Sequence, residues 1–168
     1  MAKSSGLALL ALIVAFGALG LGVYQMYFVS APTGGDSGIR NVWSDYYYTS
    51  VKTNPVDTWI HVDQLLINFT VSTGESAFFL FSTLATVQAG VPSYMYLNFA
   101  LDGVRLSGPT HPWYIFQTQG EVIRAPISFH YVFETISVGA HNLSIQIQGN
   151  DLSNEIFAST LLVQTIIS

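Results

Sequence analysis

The chain has 168 residues, no cysteine, 5 basic against 10 acidic side chains and a formal net charge of −5. Disulfides, thiolate metal sites and a cysteine nucleophile are therefore excluded, and an acidic chain carries no electrostatic footprint for nucleic acid. Charged residues make up 9% of the whole and hydrophobic ones 50%, a share raised by an apolar run near the N-terminus.

Residues 1–5 form a short head bearing Lys3, and Gly6–Val29 follow as 24 residues without a charge. At about 1.5 Å per residue a helix of that length reaches roughly 36 Å, enough to cross a hydrocarbon core of about 30 Å with some tilt. A secretory signal has an apolar centre of only about 7–15 residues. Val29-Ser30-Ala31 does offer a cleavage-like arrangement, with Pro32 as an awkward residue after it. A buried helix of a soluble protein would keep a polar face, which this run lacks apart from Gln25 and its late tyrosines. The expectation is a single transmembrane helix over 6–29, in contact with membrane lipid. Lys3 lies before it and Asp36 after it, which places the N-terminus in the cytoplasm and the remainder outside the cell membrane.

Within the run, Ala8, Ala11, Ala15, Ala18 and Gly22 recur at helical steps, and Gln25 continues the series. In lipid, small residues let helix backbones approach and a polar side chain can hydrogen-bond across the contact. The stripe reads as a face packing against copies of itself or a partner; equally, Ala and Gly are common in any apolar segment. Residues 30–41, SAPTGGDSGIRN, are small and turn-rich and read as a short linker.

From residue 42 the period changes to two. Leu65, Ile67, Phe69 and Val71 alternate with Leu66, Asn68 and Thr70; Met95, Leu97, Phe99 and Leu101 alternate with Tyr94, Tyr96, Asn98 and Ala100. Asp102-Gly103 then supplies a tight-turn dipeptide. Ile127–Phe133 and Leu143–Ile147 alternate in the same way, and Gln146 and Gln148 fall on the polar side of the second. Further strands are expected at Trp43–Ser50, Thr58–His61, Ala77–Val87, Trp113–Gln117 and Ala158–Ile167. Ala77–Val87 and Ala158–Ile167 are apolar on both faces, as central strands are, or strands whose outer face meets another subunit. About nine short strands separated by turn residues predict an all-β fold, a jelly-roll-like antiparallel β-sandwich over 42–168, preceded by the single transmembrane helix.

The order LDGVRL, ISFHYVFETI, VGAHNLSIQIQ and a terminal LLVQTII resembles the compact jelly rolls of the complement and tumour-necrosis-factor type. The resemblance implies a threefold trimer with the domain outside an N-terminal anchor. The chain departs from that pattern in lacking a stalk, cysteines and a receptor-binding or calcium motif.

No G-x-S-x-G, H-E-x-x-H or phosphate-cradling loop is present, so no catalytic, cofactor or metal residue is assigned and the chain is read as a non-enzyme. His61, His111, His130 and His141 read as turn or sheet-surface residues; His130 and Glu134 on one strand would lie roughly 13 Å apart. Asn68-Phe69-Thr70 and Asn142-Leu143-Ser144 are sequons, each asparagine opposite its strand's apolar residues, and both can carry glycan on an exported domain. Trp43-Ser44-Asp45-Tyr46-Tyr47-Tyr48 reads as a buried first strand, with stacking on glycans or packing on a neighbouring subunit as alternatives. These features suit a cell-surface or virion-surface structural or adhesive glycoprotein that forms a homo-oligomer, a trimer foremost. A pilin-like filament subunit with the helix in the fibre core, or a single-span accessory subunit beside other membrane subunits, are the alternatives.

Overall fold

The computed structural model of the protein describes residues 38–90, 92–107 and 113–167, so the transmembrane assignment and its Ala8–Gln25 stripe lie outside the described residues. Among the described residues there are strands and turns and no helix. The strands are β1 (Gly38–Tyr47), β2 (Val51–Lys52), β3 (Ile60–Val71), β4 (Glu75–Val87), β5 (Ser93–Leu101), β6 (Val104–Arg105), β7 (Trp113–Thr118), β8 (Ile123–Phe133), β9 (Gly139–Gly149) and β10 (Glu155–Ile167).

They form two antiparallel sheets. One, called the apolar-backed sheet below, runs β1-β10-β4-β8, with β2 also on β10; the other, the amide-backed sheet, runs β3-β9-β5, with β6 and β7 both on the free edge of β5. Nearly every connection between long strands passes from one sheet to the other, which is the order of a jelly roll. The period-two alternation explains why the sheets stack: Phe79 and Phe81 on β4, Phe99 and Leu97 on β5, Ile145 and Ile147 on β9 and Leu161 and Val163 on β10 all turn inward and are fully buried. Phe79 sits between the layers, with ring centroids 5.9 Å from Phe69, 5.7 Å from Phe99 and 6.5 Å from Phe133.

Several boundaries differ from the sequence expectation. β1 begins at Gly38, inside the stretch read as linker, because β10 runs on through Ile167 and Gly38 pairs with it. Thr58–His61 and Leu65–Val71 are not separate strands: β3 is continuous from Ile60, and a register irregularity between His61 and Leu66 hides the alternation. β8 starts at Ile123 and holds Pro126, which lacks a backbone donor and is tolerated because β8 is a sheet edge. The Asp102-Gly103 dipeptide does form the tight turn, with φ of 52° and 76° at its two residues, the left-handed pair that a two-residue hairpin requires.

The far end of the sandwich is tied by side-chain amides. Asn154, fully buried, accepts from the Gln88 N–H at 2.8 Å and donates to the Tyr94 carbonyl at 2.9 Å, so one amide joins β4 to β5 across the layers. At Gly149 a Cβ would come within 2.8 Å of Thr53 Oγ1 and 3.0 Å of the Tyr94 carbonyl, so the close approach there requires glycine.

Candidate functional site

The inward residues of β5 and β9 build the core, and their outward residues are unusual for a sheet surface. Asn98, Ser144 and Gln146 point away from the core yet are only 3%, 4% and 6% exposed. Asn98 and Gln146 are direct cross-strand partners, and Trp113 of β7 lies opposite Asn98 on the other side. Trp59, just before β3, and Arg105 of β6 complete the wall, while Tyr96 and Gln148 lie in the next row. Trp59, Tyr96, Asn98, Arg105, Trp113 and Gln148, with Leu106 and Ser107, line a cleft of about 240 Å³.

Its aromatic lining is continuous. The Tyr96 ring stacks 6.2 Å from Trp59 and lies 5.4 Å from Trp113, and Tyr94 continues the ladder at 4.9 Å from Tyr96. The Arg105 guanidinium rests 4.3 Å from the Trp59 ring centroid, a cation–π contact that holds both side chains at the rim. The Tyr94 hydroxyl donates to Asp57 Oδ1 at 2.8 Å; that hydrogen bond to a carboxylate, then burial, raises the phenol above its usual range.

The floor carries one unmatched polar atom. Asn98 Nδ2 donates to the Leu106 carbonyl at 2.7 Å, and because a carbonyl only accepts, the orientation of the amide is fixed. Asn98 Oδ1, its other end, is buried without a hydrogen-bond partner. Beside it, Gln146 Nε2 lies 2.7 Å from His61 Nε2, so when the amide donates, the imidazole accepts there and carries its proton on Nδ1.

A second depression, about 400 Å³, lies near the other end of β9, lined by Trp43, Asn68, Thr70, His141 and Asn142. Asn68 and Asn142, the two sequon asparagines, are direct cross-strand partners on the outer face, Asn68 exposed and Asn142 half-buried. His141 Nδ1 meets Asp102 Oδ2 at 2.8 Å and Nε2 meets the Ser137 carbonyl at 2.7 Å. Both ring nitrogens thus face acceptors. Burial pulls the imidazole pKa down, but the Asp102 hydrogen bond, the Ser137 carbonyl and the carboxylate charge outweigh it and hold it above the usual histidine value. Burial likewise pushes Asp102 up, and the bonds from His141 and the Asn142 N–H hold it below the usual carboxylate range.

The outer face of the apolar-backed sheet differs from both. On β4 the outward residues from Ser76 to Leu84 are Ser76, Phe78, Leu80, Ser82 and Leu84; on β10 from Thr160 to Ile166 they are Thr160, Leu162, Gln164 and Ile166. None is charged, and Val42 of β1 and Val132 of β8, 54% and 43% exposed, flank them.

The aromatic run of β1 divides by face: Trp43 and Tyr47 pack on the core, and Tyr46 and Tyr48 are exposed. His130 stacks on Phe78 at 5.6 Å, His111 lies outside the described residues, and among the described residues no group of three metal-ligating side chains converges. The cleft residues Trp59, Arg105 and Trp113 carry no local sequence signal, since three separate segments bring them together. In the sequence Tyr94, Tyr96 and Asn98 stand out only as the non-core side of β5.

The sequence matches no protein-family profile and no curated relative. Among solved structures, it is similar to a capsid-protein chain of the infectious bursal disease virus Gx strain at 13% identity and a TM-score of 0.38, covering 82% of this chain and 36% of that one. It is also similar, at 13% identity and a TM-score of 0.27, to a chain from "CBM4 structure and function", a carbohydrate-binding module, covering 86% and 82%. The chain spans about a third of the viral chain's length.

Proposed function

We propose that the protein is a membrane-anchored structural or adhesive surface protein whose β-sandwich self-associates through the outer face of its apolar-backed sheet. The observation that carries the reading is the uncharged patch centred on the cross-strand pair Leu80 and Leu162, with Phe78, Leu84 and Ile166 around it. These side chains are half-buried and lie among Ser76, Ser82, Thr160, Gln164 and His130; apolar side chains gathered on an outward sheet face support an interaction site, and obligate interfaces are built from surfaces resembling a cut core. In a closed ring the patch of each copy would meet a different surface of the next, and the resemblance to trimeric jelly rolls makes a trimer the expected state. The Gly6–Val29 segment supports the anchor by its length and lack of charge, and its Ala8–Gly22 stripe would give the copies a second contact in lipid.

The full chain in density-matched detergent is expected to sediment as an oligomer at tens of micromolar. Leu80→Lys combined with Leu162→Lys places uncompensated charges in that contact and should weaken association by about a hundredfold or more while the far-ultraviolet spectrum stays that of a β protein. A parent chain that sediments as a monomer overturns the proposal, as does a double variant that associates unchanged.

A further inference from the structure

We infer that the cleft between Trp59, Tyr96 and Trp113 binds a neutral sugar ring, with the ring face laid on Trp113 and a sugar hydroxyl donating to Asn98 Oδ1.

The polar floor sets the chemistry of the ligand. Asn98 is 3% exposed, and its Oδ1 lacks a partner although Nδ2 is engaged by Leu106. A buried acceptor left without a hydrogen bond destabilises the free protein, so a ligand that supplies a donor at this point gains what the free protein lacks. A purely apolar ligand would seal the atom further from water and bind at a loss. A proline-rich strand also stacks on aromatic grooves, but its prolines bring no N–H to the floor. A single-stranded nucleic acid would find one cation in the cleft, Arg105, already over Trp59, on a chain of net charge −5.

Sugars meet these requirements together. Each hydroxyl both donates and accepts, which matches the side-chain amides of Asn98 and Gln148 and the hydroxyl of Ser107 at the margin. The opposite requirement, a flat apolar surface for the ring's C–H face, is met by Trp113, which is 55% exposed and anchored from behind by Tyr96 at 5.4 Å. At about 240 Å³ the cleft is smaller than the roughly 300–1,000 Å³ of drug-sized sites and open at the rim, so it fits one ring of a longer glycan whose remainder stays in solvent. The site uses the amide-backed sheet only, and it stands or falls independently of association through the other.

The test uses the full chain in lauryldimethylamine oxide, whose head group is not a sugar, titrated with cellohexaose, xylohexaose, mannohexaose, chitohexaose and maltohexaose. At least one should change tryptophan emission saturably. Trp113→Ala, at an exposed position, should keep the parent's thermal transition and weaken that sugar's binding about tenfold. Asn98→Ser, which shortens the acceptor, should weaken it as well, and the Leu80→Lys/Leu162→Lys variant should bind like the parent whatever its state of association. The inference is overturned by no saturable response to any of the five at about 10 mM, where even a ligand of millimolar Kd would approach saturation. It is equally overturned by a response that Trp113→Ala leaves unchanged, or by tighter saturable binding of oligoproline or oligothymidylate than of any of the five sugars at the same Trp113-dependent site.

Discussion

Leu80 and Leu162 stand side by side across the outer face of one sheet; on the outer face of the other, the corresponding cross-strand neighbours are Asn98 and Gln146. Both pairs arise from the same pleat, which turns every second residue away from a shared core. The leucines are half-buried and keep part of their side chains in solvent, which asks for a broad apolar cover, whereas Asn98 and Gln146 are already 3% and 6% exposed, Asn98 among tryptophan and arginine side chains. A surface of the first kind suits another protein surface. The second has room only for something small that brings hydrogen bonds. Facing outward is thus not one property, and its meaning depends on what stands over the sheet.

The largest expected effect comes from removing what the two faces share. Phe79 contacts Phe69 and Phe99 of one sheet and Phe133 of the other, so Phe79→Ala should cost about 3–5 kcal/mol in urea unfolding and abolish association and ligand binding together. Survival of either function in a variant destabilised by that amount would show that the faces do not depend on one packed core.

A smaller effect is expected where one polar group joins the sheets. Asn154→Ala leaves the Gln88 N–H without its acceptor, while the Tyr94 carbonyl keeps the Asn150 N–H at 3.3 Å. One unsatisfied donor and a small void should cost about 2 kcal/mol. Because Tyr94 leads the aromatic ladder to Tyr96, the loss should disturb the cleft more than the Leu80 patch. An equal effect on both, read from tryptophan emission and sedimentation, would mean that Asn154 stabilises the sandwich generally and does not position the cleft.

Much of this frame is legible in the residues. The alternation in Leu143–Ile147 and Met95–Leu101 identifies the core side of the strands, and Asp102-Gly103 identifies a hairpin by its need for two positive φ values. The doubly apolar Ala77–Val87 and Ala158–Ile167 segments are central strands, β4 between β10 and β8, β10 between β1 and β4, as continuous hydrophobicity implies. The start of β1 was hidden because Gly38 and Ile39 pair only with the far end of the chain, at Ile167 and Ile166. The cleft was hidden for a related reason. Trp59, Arg105 and Trp113 are each ordinary turn or edge residues until the pairing of β5 with β6, β7 and β9 gathers them, and burial of Asn98 follows from that gathering and from no local pattern.

The smallest expected effect belongs to neither face but to the corner where the β5–β6 turn meets β9. His141 donates to Asp102 and to the Ser137 carbonyl, an arrangement satisfied only when the ring is protonated. Its folded-state pKa is raised above the ordinary value of 6.5, so its contribution is fully present below that value and is lost as pH rises through the folded one. Asp102 is lowered from 3.8, so its contribution is present above that value and is lost as pH falls through the folded one. The pair therefore stabilises the fold most between those two ordinary values. Because the Asp102 side chain is 47% exposed, solvent screens the interaction and the effect should be small. The urea midpoint should fall between about pH 5.5 and about pH 8, an interval that spans histidine titration, and His141→Gln should remove that component while leaving the rest of the profile. A parent midpoint that rises across this interval, or one whose slope is the same in the variant, would show that the corner is held without the imidazolium.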